Sequence, residues 1–356
     1  MRSKLIIGGL VVVIVAVLGW VGVGWWQRTH RSDLETALRE VPGSTQRLSF
    51  TNWHAVRAQL GVDGLDTSGK TLNKWLERAY DKDYSSTSAI SDYSPAMTEY
   101  FGFSAANTDW EAYAQSEQGA ALVLHMESDV DFNDIAKALK SRGFKEPASD
   151  DGVWKGGADL ISTIDPELTP ELQYIALLRG RHTIVASDKL AYAGTAARIA
   201  DGHGDSLADE VSDTTDLAGK VGAPIAATLW SKDFACSDLA MTQASASDRR
   251  RADQLIASAG KTSPLSGLIM AMSPSRVVTV AEQFESGEQA RENLRARATL
   301  AVGPAVGRGE DTFSADFKLT ASRTEGSTVL LTMKPRDPAD FPLSSLYDGP
   351  VIFATC

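Results

Sequence analysis

The chain has 356 residues, of which 43% are hydrophobic and 23% charged, and its formal net charge is −11 at pH 7. This acidic balance argues against nucleic acid, polyanionic wall polymers and anionic lipid headgroups as main partners, because like charges repel. The length suffices for one large domain or two ordinary domains beyond an N-terminal anchor.

An apolar run without charges extends from Leu5 to Trp26. As a helix rising about 1.5 Å per residue it spans roughly 33 Å, which is enough to cross a bilayer. A cleaved secretory signal is the alternative, but its apolar part usually has about 7–15 residues and precedes a small-x-small site. Trp25 and Trp26 suit the membrane–water interface. We predict an uncleaved transmembrane signal-anchor over residues 5–26, held in the lipid bilayer.

The basic residues around this run set its orientation. Arg2 and Lys4 precede it, and Arg28 and Arg31 follow it, so with the terminal amine the positive-inside rule weakly favours a cytoplasmic N-terminus. We therefore predict a single-pass cell-membrane protein with residues 1–4 in the cytoplasm and an extracytoplasmic body. Residues 27–41, in which Ser32 or Asp33 can cap a short helix, are predicted as a stalk helix or the first helix of the body.

The remaining chain divides most readily at Val211–Pro224, which gives a first region over 42–222 and a second over 223–356. In the first region we predict a strand at Arg47–Phe50, a helix between a Thr51 or Asn52 cap and Gly61, and a polar, helix-leaning stretch up to about residue 116. A strand "GAALVLHM", a helix "DFNDIAKALKSRGF", a hairpin around residues 179–181 and a helix "KLAYAGTAARIADG" follow.

The second region repeats this pattern. "RVVTVAEQFESGEQARENLRARATL" predicts a strand, an acidic turn and a helix, and "FSADFKLTASRTEGSTVLLTMKP" predicts a long hairpin with Gly326 in its turn. Two strand–helix–strand–strand units are typical of a distant duplication. The predicted fold class is α+β, with antiparallel sheets and helices packed on one face.

The chain resembles uncharacterised single-pass, membrane-anchored extracytoplasmic proteins of high-GC Gram-positive bacteria. The resemblance lies in "RLSFTNWHAVRAQLG", "DGVWKGGADLISTIDPELTPELQYIALL" and "FPLSSLYDGPVIFATC", and it extends diffusely over most of the chain. It implies an architecture and a location but no activity and no catalytic residues.

Three motifs match enzyme or metal sites only in part. Gly64, Gly69, Lys70 and Thr71 fit the phosphate-loop spacing, but a helix precedes them where that loop requires a buried strand. "GDSL" at residues 204–207 matches an esterase block, yet it follows a helix and no histidine has an aspartate three residues before it. "DVDFND" opens like a calcium loop, but Asp134 and Lys140 stand where glycine and glutamate belong, so we interpret Asp131 as a helix cap.

The other candidate residues point to structure. The five histidines are not at metal-ligand spacing, and the tryptophans of the body are interpreted as core residues: Trp53, Trp75, Trp110, Trp154 and Trp230. We predict no catalytic residue, metal site or cofactor. In an oxidising compartment Cys236 and Cys356 are predicted to form a disulfide, since each ends an apolar, strand-like run and neighbouring strands could bring the sulfurs together.

Two functions remain from the sequence. The first is a non-catalytic, membrane-tethered binding or interaction protein of the bacterial cell envelope, with another envelope protein or a second copy of itself as partner. The alternative is an envelope hydrolase whose site the sequence does not reveal. A histidine beside a serine and a carboxylate in a cleft would favour the hydrolase.

Overall fold

Eleven antiparallel strands form one sheet in the computed structural model, which describes residues 31–62, 69–239, 241–308 and 312–356. The predicted transmembrane segment therefore lies outside the described residues, and none of the helices within them is long and apolar enough to span a membrane. The strands are β1 Arg47–Thr51, β2 Thr108–Ser116, β3 Gly119–Met126, β4 Val153–Lys155, β5 Tyr174–Leu178, β6 Thr183–Ser187, β7 Ala226–Ser231, β8 Gly267–Met272, β9 Val278–Gln283, β10 Phe317–Glu325 and β11 Thr328–Pro335.

The sheet has two halves that follow the same strand order outwards from its centre. One half runs β1, β2, β3, β6, β5 and the other runs β7, β8, β9, β11, β10, with β4 added outside β5. The central strands β1 and β7 are antiparallel, with Ser49 opposite Thr228. Because this pairing joins strands from either side of the predicted boundary, both regions contribute to a single sheet.

Fourteen α-helices lie in the described part of the chain. In chain order they are α1 Asp33–Glu40, α2 Trp53–Leu60, α3 Gly69–Asp81, α4 Ser94–Phe101, α5 Phe132–Ser141, α6 Ala158–Ile164, α7 Leu190–Ala200, α8 Leu207–Glu210, α9 Ser212–Val221, α10 Phe234–Asp238, α11 Ala246–Ala259, α12 Gly287–Leu300, α13 Phe313–Asp316 and α14 Ser344–Tyr347. The third strand of each half is followed by a helix, α5 after β3 and α12 after β9.

Helices cover both faces of the sheet, so the prediction of helices on one face is wrong. Along β3, Leu122 and Leu124 pack into the core beneath α2–α5 and α12, whereas Ala121 and Val123 pack into a second core beneath α1, α7, α8 and α9. Successive side chains of a strand point to opposite faces. Strands that are apolar at every position must therefore be covered twice.

The capping residues identified in the sequence lie at the ends of their helices, as expected. The Asn52 side chain accepts a hydrogen bond from the backbone N–H of Ala55 at the start of α2, and Gly61 ends this helix in the left-handed conformation with φ 63°. The Asp131 side chain accepts from the Asn133 N–H at the start of α5. These bonds satisfy N–H groups that a helix leaves without partners at its first turn.

Helix α1 belongs to the body and is not a free stalk. Its residues Leu34, Ala37 and Leu38 are at most 1% exposed, and they pack in the core beneath α7, α8 and α9. A capping box formed by Ser32 and Glu35 starts the helix. Of the two alternatives for residues 27–41, residues 33–40 form the first helix of the body and not a stalk helix, because an amphipathic helix stabilises the fold only when its apolar side is buried.

Candidate functional site

Two open cavities of about 560 and 550 Å³ lie on either side of the segment that leads into β1. Both are lined by Gly43, Ser44 and Lys232, so we treat them together and call them the end groove. Concave sites with a few convergent polar groups are the usual location of ligand binding. The end groove is therefore the candidate functional site.

Both halves of the sheet build the first cavity. Thr45 and Gln46 come from the start of β1, Glu117 from the turn between β2 and β3, and residues 231–237 from the end of β7 and from α10. The β1–β7 pairing places the start of β1 beside the end of β7. Since strand pairing fixes both walls, the cavity does not depend on a free loop.

Hydrogen bonds fix the walls of this cavity. The Ser231 hydroxyl donates to the Thr45 carbonyl oxygen at 2.6 Å, and the Ser231 N–H donates to the Gln46 carbonyl at 2.9 Å. The Thr242 hydroxyl donates to the Ser237 carbonyl at 2.8 Å. These groups are satisfied within the protein and leave other side chains to contact a ligand.

Four exposed polar side chains of the first cavity have no hydrogen bond or ion pair within the described residues: Ser44, Glu117, Lys232 and Asp233. Lys232 also has a positive φ of 55°, an uncommon backbone conformation for lysine. The first cavity thus offers one cation, two carboxylates and a hydroxyl to a polar ligand.

The second cavity depends on a close approach between two loops. The Gly43 N–H donates to the Asp205 carbonyl at 3.0 Å, and the Leu207 N–H donates to the Val41 carbonyl at 3.0 Å. A Cβ added at Gly43 would lie 3.0 Å from the Asp205 carbonyl oxygen and would overlap the Glu210 side chain. Only glycine fits there without displacement of a neighbour.

The Gly43→Ala variant is expected to lower the free energy of unfolding by about 1–3 kcal/mol, because overpacking forces the two loops apart. Urea denaturation followed by circular dichroism measures this loss. Gly180→Ala is the matched control, since no described atom lies within 4 Å of a Cβ at that position. A Gly43→Ala protein as stable as the control would contradict the close contact between these loops.

The serine of the "GDSL" block is a helix cap. The Ser206 hydroxyl, 2% exposed, donates to the Asp209 carboxylate at 2.6 Å and starts α8 in a capping box. This hydrogen bond lowers the pKa of Asp209. The nearest histidine along the chain, His203, is instead within 3.2 Å of Asp201. The esterase match therefore reflects local capping.

The matches to a phosphate loop and to a calcium loop also lie in ordinary helix starts where the structure describes them. Gly64 of the phosphate-loop match lies outside the described residues, whereas Gly69, Lys70 and Thr71 form the first turn of α3. Asp131 caps α5 as described above. Within the described part of the chain, no group of three or more His, Cys, Asp or Glu side chains is arranged to hold a metal ion.

None of the described histidines is among the residues that line the end groove. His54 is 3.8 Å from Asp109 and His125 is 3.4 Å from the Thr183 hydroxyl, while the His125 ring stacks on Trp110. Burial lowers the pKa of His125. His30 is outside the described residues. No described histidine is hydrogen-bonded to a serine hydroxyl.

Two buried carboxylates were not anticipated by the sequence. Glu111 on β2 accepts hydrogen bonds from the Trp53 indole at 2.9 Å and from the Ser88 hydroxyl at 2.7 Å, and burial raises its pKa to about 7. Glu282 on β9 is 3.9 Å from Arg297 Nε, and burial raises its pKa to about 7 as well. Because glutamate is rarely fully buried unless it is paired, the local pattern carries no signal for the burial of either residue.

The predicted disulfide is present, and it lies at the end groove. Cys236 and Cys356 are bonded, with a Cα–Cα distance of 5.6 Å, and Cys236 lines the first cavity. The expected route was wrong, because the sulfurs do not meet on neighbouring strands. Cys236 lies in α10, and Cys356 follows a 3₁₀ turn over Ile352–Ala354.

The tryptophans of the body are core residues, as the sequence indicated. Their exposure is at most 3% of the side chain's accessible surface: Trp53, Trp75, Trp110, Trp154 and Trp230. The Trp53 and Trp75 rings form an edge-to-face pair with centroids 5.7 Å apart. Such pairs stabilise a core beyond the area they bury.

Comparison with known proteins leaves the function open. No protein-family model matches the chain, and no curated protein matches it. Two solved structures of TP0453 align with 89% of the chain. Crystal form I has 8% identity, a TM-score of 0.38 and 99% of its own length covered, and crystal form III has 10% identity, a TM-score of 0.39 and 97% covered. At these TM-scores the likeness carries no inference about the present chain.

Proposed function

We propose that the protein is a non-catalytic, membrane-tethered extracytoplasmic binding protein of the cell envelope, and that the end groove is its binding site. The observation that carries the proposal is the groove itself. Its walls come from both halves of the sheet, and four exposed polar side chains of its first cavity have no hydrogen bond or ion pair within the described residues. Unsatisfied polar groups on a fixed frame favour a polar ligand or the polar surface of a partner protein.

The position of the groove fits a tethered protein. The Asn52 amide donates to the Asp33 carboxylate at 2.7 Å, so the chain enters the body beside the end of β1. The groove lies at the other end of β1, and five residues of strand separate the two points by roughly 17 Å. With residues 5–26 in a bilayer, the groove faces away from the membrane, where a partner can reach it.

The disulfide supports the proposed compartment. Disulfides persist in oxidising environments outside the cytoplasm and are rare within it. The Cys236–Cys356 bond therefore agrees with a cytoplasmic N-terminus and an exported body. The shared strand order of the two halves supports the further proposal that the body arose by duplication, with the groove at the join.

Cysteine labelling in native cells tests both parts of the proposal. Ser44→Cys places a thiol in the groove, and Ser128→Cys places a matched, exposed thiol after β3, at the opposite end of the sheet. A membrane-impermeant maleimide that carries a photo-crosslinker is expected to label both variants on cells stripped of outer barriers. Only the Ser44→Cys protein is expected to give a discrete crosslinked product, which the added Lys232→Glu change removes.

The two parts fail in different ways. If neither thiol is labelled on intact membranes, the body is not extracytoplasmic and the location is wrong. If both are labelled but the crosslinked products are the same at both positions, the groove is not the binding site. If the Ser44→Cys protein gives the same crosslinked product with and without the Lys232→Glu change, the Lys232 side chain has no role in binding.

A further inference from the structure

The two edges of the sheet are built differently. The outer edge of β4 is three residues long and is closed by Lys145, whose N–H donates to the Lys155 carbonyl at 2.9 Å and whose carbonyl accepts from the Lys155 N–H at 3.1 Å. The opposite edge, β10, has nine residues and pairs only with β11. From Lys318 to Glu325, the described backbone hydrogen bonds of β10 are all made to β11. An open edge of this length can accept another strand.

A groove of about 480 Å³ runs beside this open edge, between β10 and α12. Its lining includes Arg291 and Arg295, which are exposed and lie one helical turn apart. Leu294, Ala298, Val302 and Ser322 also line it. Ser322 is paired with Leu331, a core residue beneath α12, so it faces the groove and not the other side of the sheet. We call the edge and the cavity together the β10 groove.

The charge of the β10 groove is opposite to that of the protein. The chain has a formal net charge of −11, yet Arg291 and Arg295 have no ion pair within the described residues. Two more cations, Lys318 and Arg323, project from β10, and Arg323 lies 3.7 Å from Glu325. Unpaired arginines beside an open strand edge favour an acidic partner.

We propose that the β10 groove binds an extended, acidic segment of a partner protein. The segment adds to β10 as a further strand through backbone hydrogen bonds. Its side chains alternate between the two faces of the sheet. On one face acidic side chains meet Arg291 and Arg295 and an apolar side chain packs on Leu294 and Ala298, and on the other face acidic side chains meet Lys318 and Arg323.

A second copy of the chain fits this edge less well. Pairing β10 with β10 of another copy would bring two sets of Arg291 and Arg295 to the same interface, and like charges across an interface weaken binding. The positive charges repel a basic strand and do not attract a neutral one. An acidic strand is therefore favoured at this edge.

A designed peptide tests the proposal on the full-length protein in mild detergent. The probe is a fluorescein-labelled octapeptide with Val at its third and seventh positions and Glu elsewhere, so that one face of the strand carries both Glu and Val and the other carries Glu alone. It is compared with peptides in which Gln or Lys replaces every Glu. Fluorescence polarisation is expected to detect binding of the Glu peptide, at least about tenfold weaker binding of the Gln peptide, and none of the Lys peptide. A Glu peptide N-methylated at every residue is expected to lose binding, because neither of its edges can donate the backbone hydrogen bonds of a strand pair.

Charge reversal locates the site. Arg291→Glu with Arg295→Glu is expected to weaken binding of the Glu peptide by at least about tenfold. Arg250→Glu with Arg251→Glu, an identical change on exposed residues of the neighbouring α11, is expected to leave it unchanged. Circular dichroism spectra and denaturation midpoints show that both variants are folded.

Three results would overturn the proposal. The first is the absence of Glu-peptide binding by the wild-type protein at millimolar concentration. The second is an equal loss in both charge-reversal variants, which would indicate general attraction and not a site. The third is a concentration-dependent dimer, seen by sedimentation, that only Arg291→Glu with Arg295→Glu dissociates. This dimer would assign the edge to a second copy.

Discussion

Replacing both cysteines, as Cys236→Ser with Cys356→Ser, is expected to lower the free energy of unfolding by about 4–5 kcal/mol. The disulfide joins residues 120 positions apart and so encloses nearly the whole second half of the sheet. In the chain-entropy account, a crosslink of this span restricts the unfolded chain strongly and the folded chain hardly at all. The variant is therefore expected to fold but to unfold at much lower urea concentration.

Urea denaturation of the wild-type protein with and without a reductant provides the control. Reduction is expected to lower the midpoint as far as the double substitution does, because Cys356 is exposed and its bond is open to attack. The reductant is expected to leave the midpoint of the double variant unchanged. A double variant as stable as the oxidised wild-type protein would show that other contacts alone hold the C-terminal segment.

Much of the fold was predictable because its signals are local. Asn52, Asp131 and Gly61 lie at the ends of helices where their chemistry requires them, and the turn at Gly326 has the positive φ of 61° that favours glycine. Alternating or continuous apolar runs likewise predicted β3, β5, β6 and β9. Each of these signals depends on residues within one turn or one strand.

The parts that were missed depend on distant contacts. Strand β2 was predicted as part of a helix-leaning stretch, because Thr108–Ser116 contains several polar residues. One of them, Glu111, is buried only because Trp53 and Ser88 supply hydrogen bonds from other elements. The second layer of helices was missed for a similar reason, since a helix pattern does not state which face of the sheet it covers.

The candidate sites show the same limit. The sequence predicted that the two cysteines are bonded, because compartment and number decide that question, but not the end groove beside Cys236. The groove arises where β1 meets β7, a pairing between residues nearly half a chain apart. The sequence likewise did not single out Arg291 and Arg295 of the β10 groove, because most charged residues of a helix such as α12 are solvated.

Arg297→Met is expected to lower the free energy of unfolding by about 3–5 kcal/mol, because it breaks a buried charge network. Arg297 is fully buried, and its guanidinium donates to the carbonyl oxygens of Phe353 at 2.7 Å, Thr355 at 2.6 Å and Ser263 at 2.6 Å. Methionine fills much of the volume but leaves these three acceptors and the Glu282 carboxylate without a partner.

Glu282→Gln is expected to act in the opposite sense and to depend on pH. Burial raises the pKa of Glu282 from 4.5 to about 7, so the folded protein binds a proton there more tightly than the unfolded chain. The stabilisation that protonated Glu282 gives the folded protein is therefore fully present below about pH 4.5 and is lost as pH rises through about 7. As the pH rises from 4.5 to 8, the unfolding free energy of Glu282→Gln is expected to increase relative to that of the wild type by on the order of 3 kcal/mol.

The measurement is the difference in unfolding free energy between variant and wild type across this pH range, in which the contribution of Glu111 cancels because both proteins contain it. Glu285→Gln, an exposed change three residues further along, is the control and is expected to give a flat difference. A flat difference for Glu282→Gln would contradict the raised pKa.

Arg297 and the disulfide both hold residues 353–356. The loss of unfolding free energy from Arg297→Met and the loss from the double cysteine change are therefore expected to sum to more than the loss in the variant that combines them. Simple additivity would mean that the two anchors stabilise different parts of the fold.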